Sequence, residues 1–200
     1  SAEWRLRPGS VGRATTGQLH IVDDQGRELP AGEIGQVFFS GGGTFSYLND
    51  PEKTRQALNE QGWFTYGDIG HVDADGYLFL SDRRADLILS GGVNLYPQEI
   101  ENALARHPDV QELAVVGVPH PDFGEVPLAA MVLRPGAEPS PATARAIAGQ
   151  AAVVLARLKL PQRMVFVESL PRLETGKLLR RKLKEQYRDA PQAGFALRDS

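Results

Sequence analysis

The stretch Asp82-Arg83-Arg84-Ala85-Asp86-Leu87-Ile88-Leu89-Ser90-Gly91-Gly92-Val93-Asn94-Leu95-Tyr96-Pro97-Gln98-Glu99-Ile100-Glu101 decides how this chain is read. It opens on a cluster of charge, passes through an apolar run, breaks at Ser90-Gly91-Gly92, and closes on an amphipathic helix with proline in its first turn. Arginines at a strand end can reach phosphate or hydroxyl oxygens with a planar fork. Paired glycines let a backbone approach a ligand closely, and equally well they make a tight turn before a helix. Composition shifts across this stretch, between Leu80 and Leu87, so a domain boundary is placed at Asp82–Asp86.

Upstream the pattern is β-rich. Gln18-Leu19-His20-Ile21-Val22 alternates, Asp23-Asp24-Gln25-Gly26 turns, and Gly35-Gln36-Val37-Phe38-Phe39-Ser40 runs extended until Gly41-Gly42-Gly43 breaks it. A short helix starts at Asn49 or Asp50, with Pro51 and Glu52 in its first turn. Ile69–Val72 and Tyr77–Leu80 flank Asp73-Ala74-Asp75-Gly76, a hairpin signal.

Downstream, helix and strand alternate. Tyr96–Leu104 is the proline-started helix, Leu113–Val118 and Val126–Leu133 are apolar strands, and the linker Pro135–Pro141 leads into an alanine-rich helix, Thr143–Leu158. Arg163–Glu168 is a further strand and Leu178–Tyr187 a basic helix, with Ala190–Ser200 expected as a tail.

The bulk numbers narrow the class. Two hundred residues with 42% hydrophobic and 24% charged content suit one or two globular domains. Zero cysteines exclude disulfides, thiolate metal sites and a cysteine nucleophile, and the four histidines, His20, His71, His107 and His120, lack ligand spacing, so no metal site is expected within the chain. A net charge of −3, with basic residues gathered in Lys177–Arg188, argues against nucleic acid as partner. No apolar run is long enough to span a membrane, and Ser1-Ala2-Glu3-Trp4-Arg5 lacks the apolar core of a signal peptide, so a cytoplasmic protein is expected.

Two more segments carry chemistry. Gly62-Trp63-Phe64-Thr65-Tyr66-Gly67-Asp68-Ile69-Gly70 holds an aspartate in a glycine-flanked turn. Such a carboxylate can accept both hydrogen bonds of a vicinal diol, although taken alone it is more often a turn residue satisfying its own backbone. Leu170-Pro171-Arg172-Leu173-Glu174-Thr175-Gly176-Lys177 presents a lone ammonium just before the basic helix, where the macrodipole favours an anion. Taken alone, Lys177 is a solvated surface charge.

In this order, and over roughly residues 10–188, the three segments resemble the adenylate-forming enzymes: acyl-CoA synthetases, adenylation domains of peptide synthetases and luciferases. Asp-Arg-x-x-Asp followed by Ser-Gly-Gly-Val-Asn-Leu-Tyr-Pro-x-Glu-Ile-Glu is most similar to fatty-acyl and aryl CoA ligases, and Gly-Trp-Phe-Thr-Tyr-Gly-Asp agrees. The resemblance implies an acid–thiol ligase of the AMP-forming type. ATP and a carboxylic acid give an acyl-adenylate, and CoA then displaces AMP. Asp68 and Arg83 match the residues that bind the ribose of ATP or AMP. Lys177 matches the catalytic lysine of adenylation, and Ser90, Gly91 and Gly92 match the loop that meets the pantetheine arm of CoA. Ala85 matches the hinge about which the C-terminal domain rotates between the steps. Family members usually carry Asp or Lys there, so the rotational end states are expected to be held less firmly. Tyr66 stands where many members have Thr.

The resemblance further implies an α+β fold: a β-rich, barrel-like subdomain over 1–84, the last part of a large N-terminal adenylating domain; a mobile α/β C-terminal domain with a small mixed sheet over 85–189; and the tail over 190–200. The family's phosphate loop, adenine segment and acyl pocket normally lie upstream of residue 1, so the chain is expected to be a C-terminal fragment, inactive alone. The missing large domain, ATP with Mg2+ held by upstream ligands, CoA and the acid are the implied partners. A lysine acetyltransferase joins them, since the context of Lys177 resembles that of an acetylated catalytic lysine. Two other readings stay open: an adenylation domain that feeds a carrier protein, and a non-catalytic interaction module.

Overall fold

The structure, a computed structural model, describes residues 7–42 and 46–197, without the side chains of Asp82, Arg83 and Ala85. The segment quoted against a signal peptide, Gly43, and residues 198–200 of the expected tail lie outside the described residues. The chain divides into two compact units after Ala85.

The first unit is an antiparallel sheet of β1 (Ser10–Gly12), β2 (Gln18–Val22), β3 (Gly35–Ser40), β4 (Asp68–Val72) and β5 (Leu78–Arg83), in the order β1-β5-β4-β3-β2. β1 and β2 are its two edges, and among the described residues no strand pair closes it. The expected β-rich subdomain is therefore an open sheet rather than a barrel. A three-residue first strand adds too little ladder to wrap the sheet around. Asp73 builds the β4–β5 turn: its Oδ1 accepts the N–H groups of Tyr77 and Asp75 at 2.9 and 3.0 Å, which hold its carboxyl below the usual carboxylate range. Asp50 caps the helix α1 (Pro51–Gln56) by accepting the Lys53 N–H at 2.9 Å. Ile21, Val37 and Leu78 form a small core. His20, between Leu19 and Ile21 on β2, is hydrogen-bonded to Glu28 and Ser40 at 2.8 Å each and stacked on Trp63.

The second unit is built on β8 (Val110–His120) and β9 (Gly124–Leu133), paired antiparallel along their length. β10 (Arg163–Phe166) joins β9 in parallel, while the short hairpin of β6 (Ile88–Ser90) and β7 (Val93–Leu95) joins it antiparallel, giving a mixed sheet. The apolar runs of β8 and β9 are continuous because both faces are covered. Val115, Ala129 and Met131 face a cluster with Ile100 and Leu104 of α2 (Pro97–Leu104) and Ile147 of α3 (Pro141–Ala151). Their neighbours Ala114, Val116, Leu128 and Ala130 face Leu183 and Tyr187 of α4 (Arg180–Arg188).

Leu128 is fully buried in that second cluster. Leu128→Ala should cost about 2–5 kcal/mol of unfolding free energy through lost transfer and a residual cavity, read from denaturant midpoints.

Three elements differ from the sequence reading. α3 ends at Ala151, seven residues before Leu158, because the next residues loosen into turns: Val153 and Val154 are β-branched and solvent-exposed, while Leu155 turns back into the core. α4 begins at Arg180 rather than Leu178. The expected tail contributes β11 (Phe195–Ala196), antiparallel to Arg163–Met164, where the Arg163 guanidinium gathers the carbonyls of Ala193 and Gly194 at 2.8 and 2.7 Å.

Candidate functional site

Asp68 opens β4, and its loop is fixed from both sides. The Thr65 hydroxyl donates to the Val37 carbonyl at 2.7 Å and accepts the Gly67 N–H at 3.0 Å, and the Arg84 N–H donates to the Gly67 carbonyl at 2.9 Å. Across the ladder Asp68 stands opposite Arg83. The pairing slips by one between Ile69 and Gly70, where a Cβ on Gly70 would lie 2.4 Å from the Phe79 carbonyl oxygen; only glycine allows the strands to approach so closely. Two residues assigned to one ribose by resemblance are thus cross-strand neighbours. Tyr66, half-exposed, packs edge-on against Phe64 and Phe39 with ring centroids 5.4 and 5.7 Å away, an aromatic wall just ahead of Asp68.

Ser90-Gly91-Gly92 forms the tip of the β6–β7 hairpin, with Ser90 opposite Val93. Gly91 and Gly92 have φ of 57° and 79°, the pair of left-handed residues that a two-residue hairpin turn requires. The sequence predicts a turn here but no hairpin, because strands of three residues leave too little alternation to detect. The Gly91 N–H donates to the Phe123 carbonyl at 2.8 Å, and a Cβ on Gly91 would lie 3.2 Å from the Phe123 ring. Leu89, Val93 and Phe123 are exposed around the tip, while Ser90 is buried at 1% exposure, its hydroxyl without a hydrogen-bond partner among the described residues.

Lys177 does not sit at a helix N-terminus. It closes a tight loop, in which the Leu173 N–H donates to the Lys177 carbonyl and the Gly176 N–H to the Leu173 carbonyl, both at 2.8 Å. Gly176 supplies the left-handed φ of 83°, and the Arg172 guanidinium donates to the Gly176 carbonyl at 2.8 Å while bonding Glu112 at 2.7 Å. The backbone is therefore held, and the Lys177 side chain is exposed, with no hydrogen-bond or ion-pair partner among the described residues. Ala85 lies in the single 3-10 turn Arg84–Asp86 that joins β5 to β6.

One group escaped sequence reasoning: Glu101 and Arg180. Glu101 is 7% exposed, and its Oε1 accepts the Val115 N–H at 2.7 Å. Arg180 grips both Glu101 carboxylate oxygens, with Nη2 to Oε2 at 2.8 Å, and donates through Nη1 to the Val115 carbonyl at 3.1 Å. The only sequence signal of Glu101 is that an acid stands where the buried face of α2 continues.

The comparisons bear on this geometry. Residues 99–177 match the family model of the AMP-binding enzyme C-terminal domain, a segment that begins within α2 and ends on Lys177. This segment is similar to an AMP-binding enzyme C-terminal domain. Around this domain the likeness extends through the β-rich unit. The 2-succinylbenzoate–CoA ligase of Geobacillus kaustophilus is 44% identical over 178 residues, 88% of this chain and 35% of that protein. The fatty acid–[acyl-carrier-protein] ligase ScoC of Streptomyces coeruleorubidus is 44% identical over 84% of this chain and 32% of its own length. ATP-bound MatB from Rhodopseudomonas palustris superposes with a TM-score of 0.82 at 39% identity, covering 91% of this chain and 36% of that one. The chain spans about a third of the length of the curated relatives it matches. The resemblance to acyl-CoA synthetases and the α+β reading are borne out. Among the described residues no acidic, histidine or cysteine cluster could hold a metal ion, and no helix is long and apolar enough to cross a membrane.

Proposed function

We propose that this chain serves as the C-terminal part of an ATP-dependent acid–thiol ligase. In the first step a carboxylate oxygen attacks the α-phosphorus of ATP and pyrophosphate leaves. In the second a CoA thiolate attacks the acyl carbon and AMP leaves. The observation that carries this reading is the contrast between two sites in one small domain: an exposed ammonium on a braced loop at Lys177, and a narrow glycine tip at Gly91-Gly92.

The roles follow from chemistry. Attack of one anion on another needs a fixed cation, which offsets repulsion and stabilises the charge that develops in the transition state; Lys177 supplies it. Asp68 accepts the ribose hydroxyls, and Arg83 stands next to it on the ladder. The Ser90-Gly91-Gly92 tip leaves room for a pantetheine arm, because no side chain projects from either glycine. Ala85 is the hinge, joining the two units by a single turn. Mg2+ accompanies ATP and is assigned no residue of this chain. Location in the cytoplasm is part of the proposal, since ATP and CoA are found there. So is a lysine acetyltransferase as regulator: the Lys177 ammonium is exposed, and acetylation would remove its charge.

A carrier thiol in place of CoA is the second reading, favoured by the likeness to a fatty acid–[acyl-carrier-protein] ligase. A purely non-catalytic module has no need of the Asp68, Arg83 and Lys177 set. The test is product analysis with the full-length enzyme, ATP and a panel of acids. AMP, pyrophosphate and a thioester are expected, whereas ADP and phosphate would overturn the reading. The 200-residue chain alone should show no acid-dependent ATP–pyrophosphate exchange.

A further inference from the structure

We propose that Arg180 is the positioning residue for Lys177, locked by Glu101 and Asp86 so that the lysine loop is held in register with the start of the second unit. This rests on the reading of Lys177 as the adenylation lysine. Four observations lead to it.

The first is an edge. Among the described residues β8 pairs with β9 alone, so every second N–H and C=O of β8 points away from the ladder. At Val115 both outward groups are taken by side chains: Glu101 accepts the N–H and Arg180 donates to the C=O. The carboxylate and guanidinium act together as a missing strand. The second is the fork. Arg180 meets both Glu101 oxygens at once, a geometry that fixes direction as well as distance.

The third is a local conflict. α4 starts with Arg180-Arg181-Lys182, three cations where the macrodipole disfavours cations, and its N-cap Leu179 offers no side-chain hydrogen bond. Nothing intrinsic to the helix start favours an arginine there, and the buried carboxylate supplies the reason. Buried ion pairs are weak stabilisers compared with apolar groups of the same volume, and their best-attested use is to specify one arrangement. The fourth is where the network leads. Arg180 lies three residues beyond Lys177, with the Leu179 N–H bonded to the Pro171 carbonyl at 2.8 Å, so the loop is closed on itself and rides on the start of α4. On its other side the Arg180 Nε lies 3.8 Å from Asp86 Oδ2, at the first residue of the second unit. A shift of Arg180 moves Lys177 with it.

The test uses the full-length enzyme. Arg180→Lys keeps the charge and loses the fork, and Glu101→Gln keeps the Val115 hydrogen bond and loses the ion pair. Each should lower the adenylation kcat about hundredfold with little change in the KM for ATP, as expected of a misplaced group rather than a lost binding contact. Thioester formation from a synthetic acyl-adenylate should be unchanged. The readout that a merely structural role would not produce is a double-mutant cycle: adding Arg180→Lys to Lys177→Ala should cost nothing further in adenylation. Equal loss in both half-reactions, or a full further loss in the Lys177→Ala background, overturns the inference. Full adenylation by Lys177→Ala overturns the lysine reading and this inference together. Loss by Lys177→Ala beside full activity in Arg180→Lys and Glu101→Gln overturns the inference alone.

Discussion

Lys177→Ala in the full-length enzyme should lower acyl-adenylate formation by about two to three orders of magnitude, the scale of one lost transition-state charge contact. Thioester formation from a supplied acyl-adenylate should persist. The fold should not notice the change. The loop is closed by backbone bonds of Leu173, Gly176 and Lys177, which alanine keeps, and the ammonium has no partner among the described residues to leave orphaned. An unchanged melting temperature beside lost pyrophosphate exchange would separate chemistry from stability, and single-turnover thioester formation with synthetic acyl-adenylate would report the second step.

Gly91→Val should do the reverse. Gly91 sits at φ 57°, where a β-branched side chain costs at least about 1–2 kcal/mol, and its Cβ would press the Phe123 ring at 3.2 Å. The ring is partly exposed and can give way, so the domain should stay folded while the hairpin tip moves and fills. A displacement of that size at a thiol entrance should slow thioester formation about tenfold to hundredfold and leave pyrophosphate exchange intact. Gly92 has open space around its Cβ position, so Gly92→Ala should be milder and serves as the control for backbone strain alone.

Much of this was legible in the chain itself, and the exceptions have physical causes. Strands such as Gln18–Val22 and Gly35–Ser40 carry alternation and glycine punctuation, and their limits match the structure. The order of the Asp68, Arg83 and Lys177 segments carried the family likeness. What sequence periodicity could not give was register: Asp68 opposite Arg83 is a property of the ladder, including the slip at Gly70. Nor could it separate Lys177 from the helix behind it, because Leu178 and Leu179 fit a helix as well as they fit the bridge between Arg172 and Leu178. Glu101 was hidden for a different reason. An acid on a buried helix face is costly unless a cation meets it, and the cation lies far away in sequence, on α4. β11 was missed because two residues give no periodic signal, and its docking depends on Arg163.

The central claim is that two separate sites of this chain, the Lys177 loop and the Gly91-Gly92 tip, serve two different steps. The ratio of adenylation rate to thioesterification rate, measured for wild type, Lys177→Ala and Gly91→Val in the full-length enzyme, tests it most directly. The ratio should fall by about a hundredfold or more in Lys177→Ala and rise about tenfold or more in Gly91→Val. A ratio that stays at the wild-type value in both variants, or shifts in the same direction in both, would contradict it.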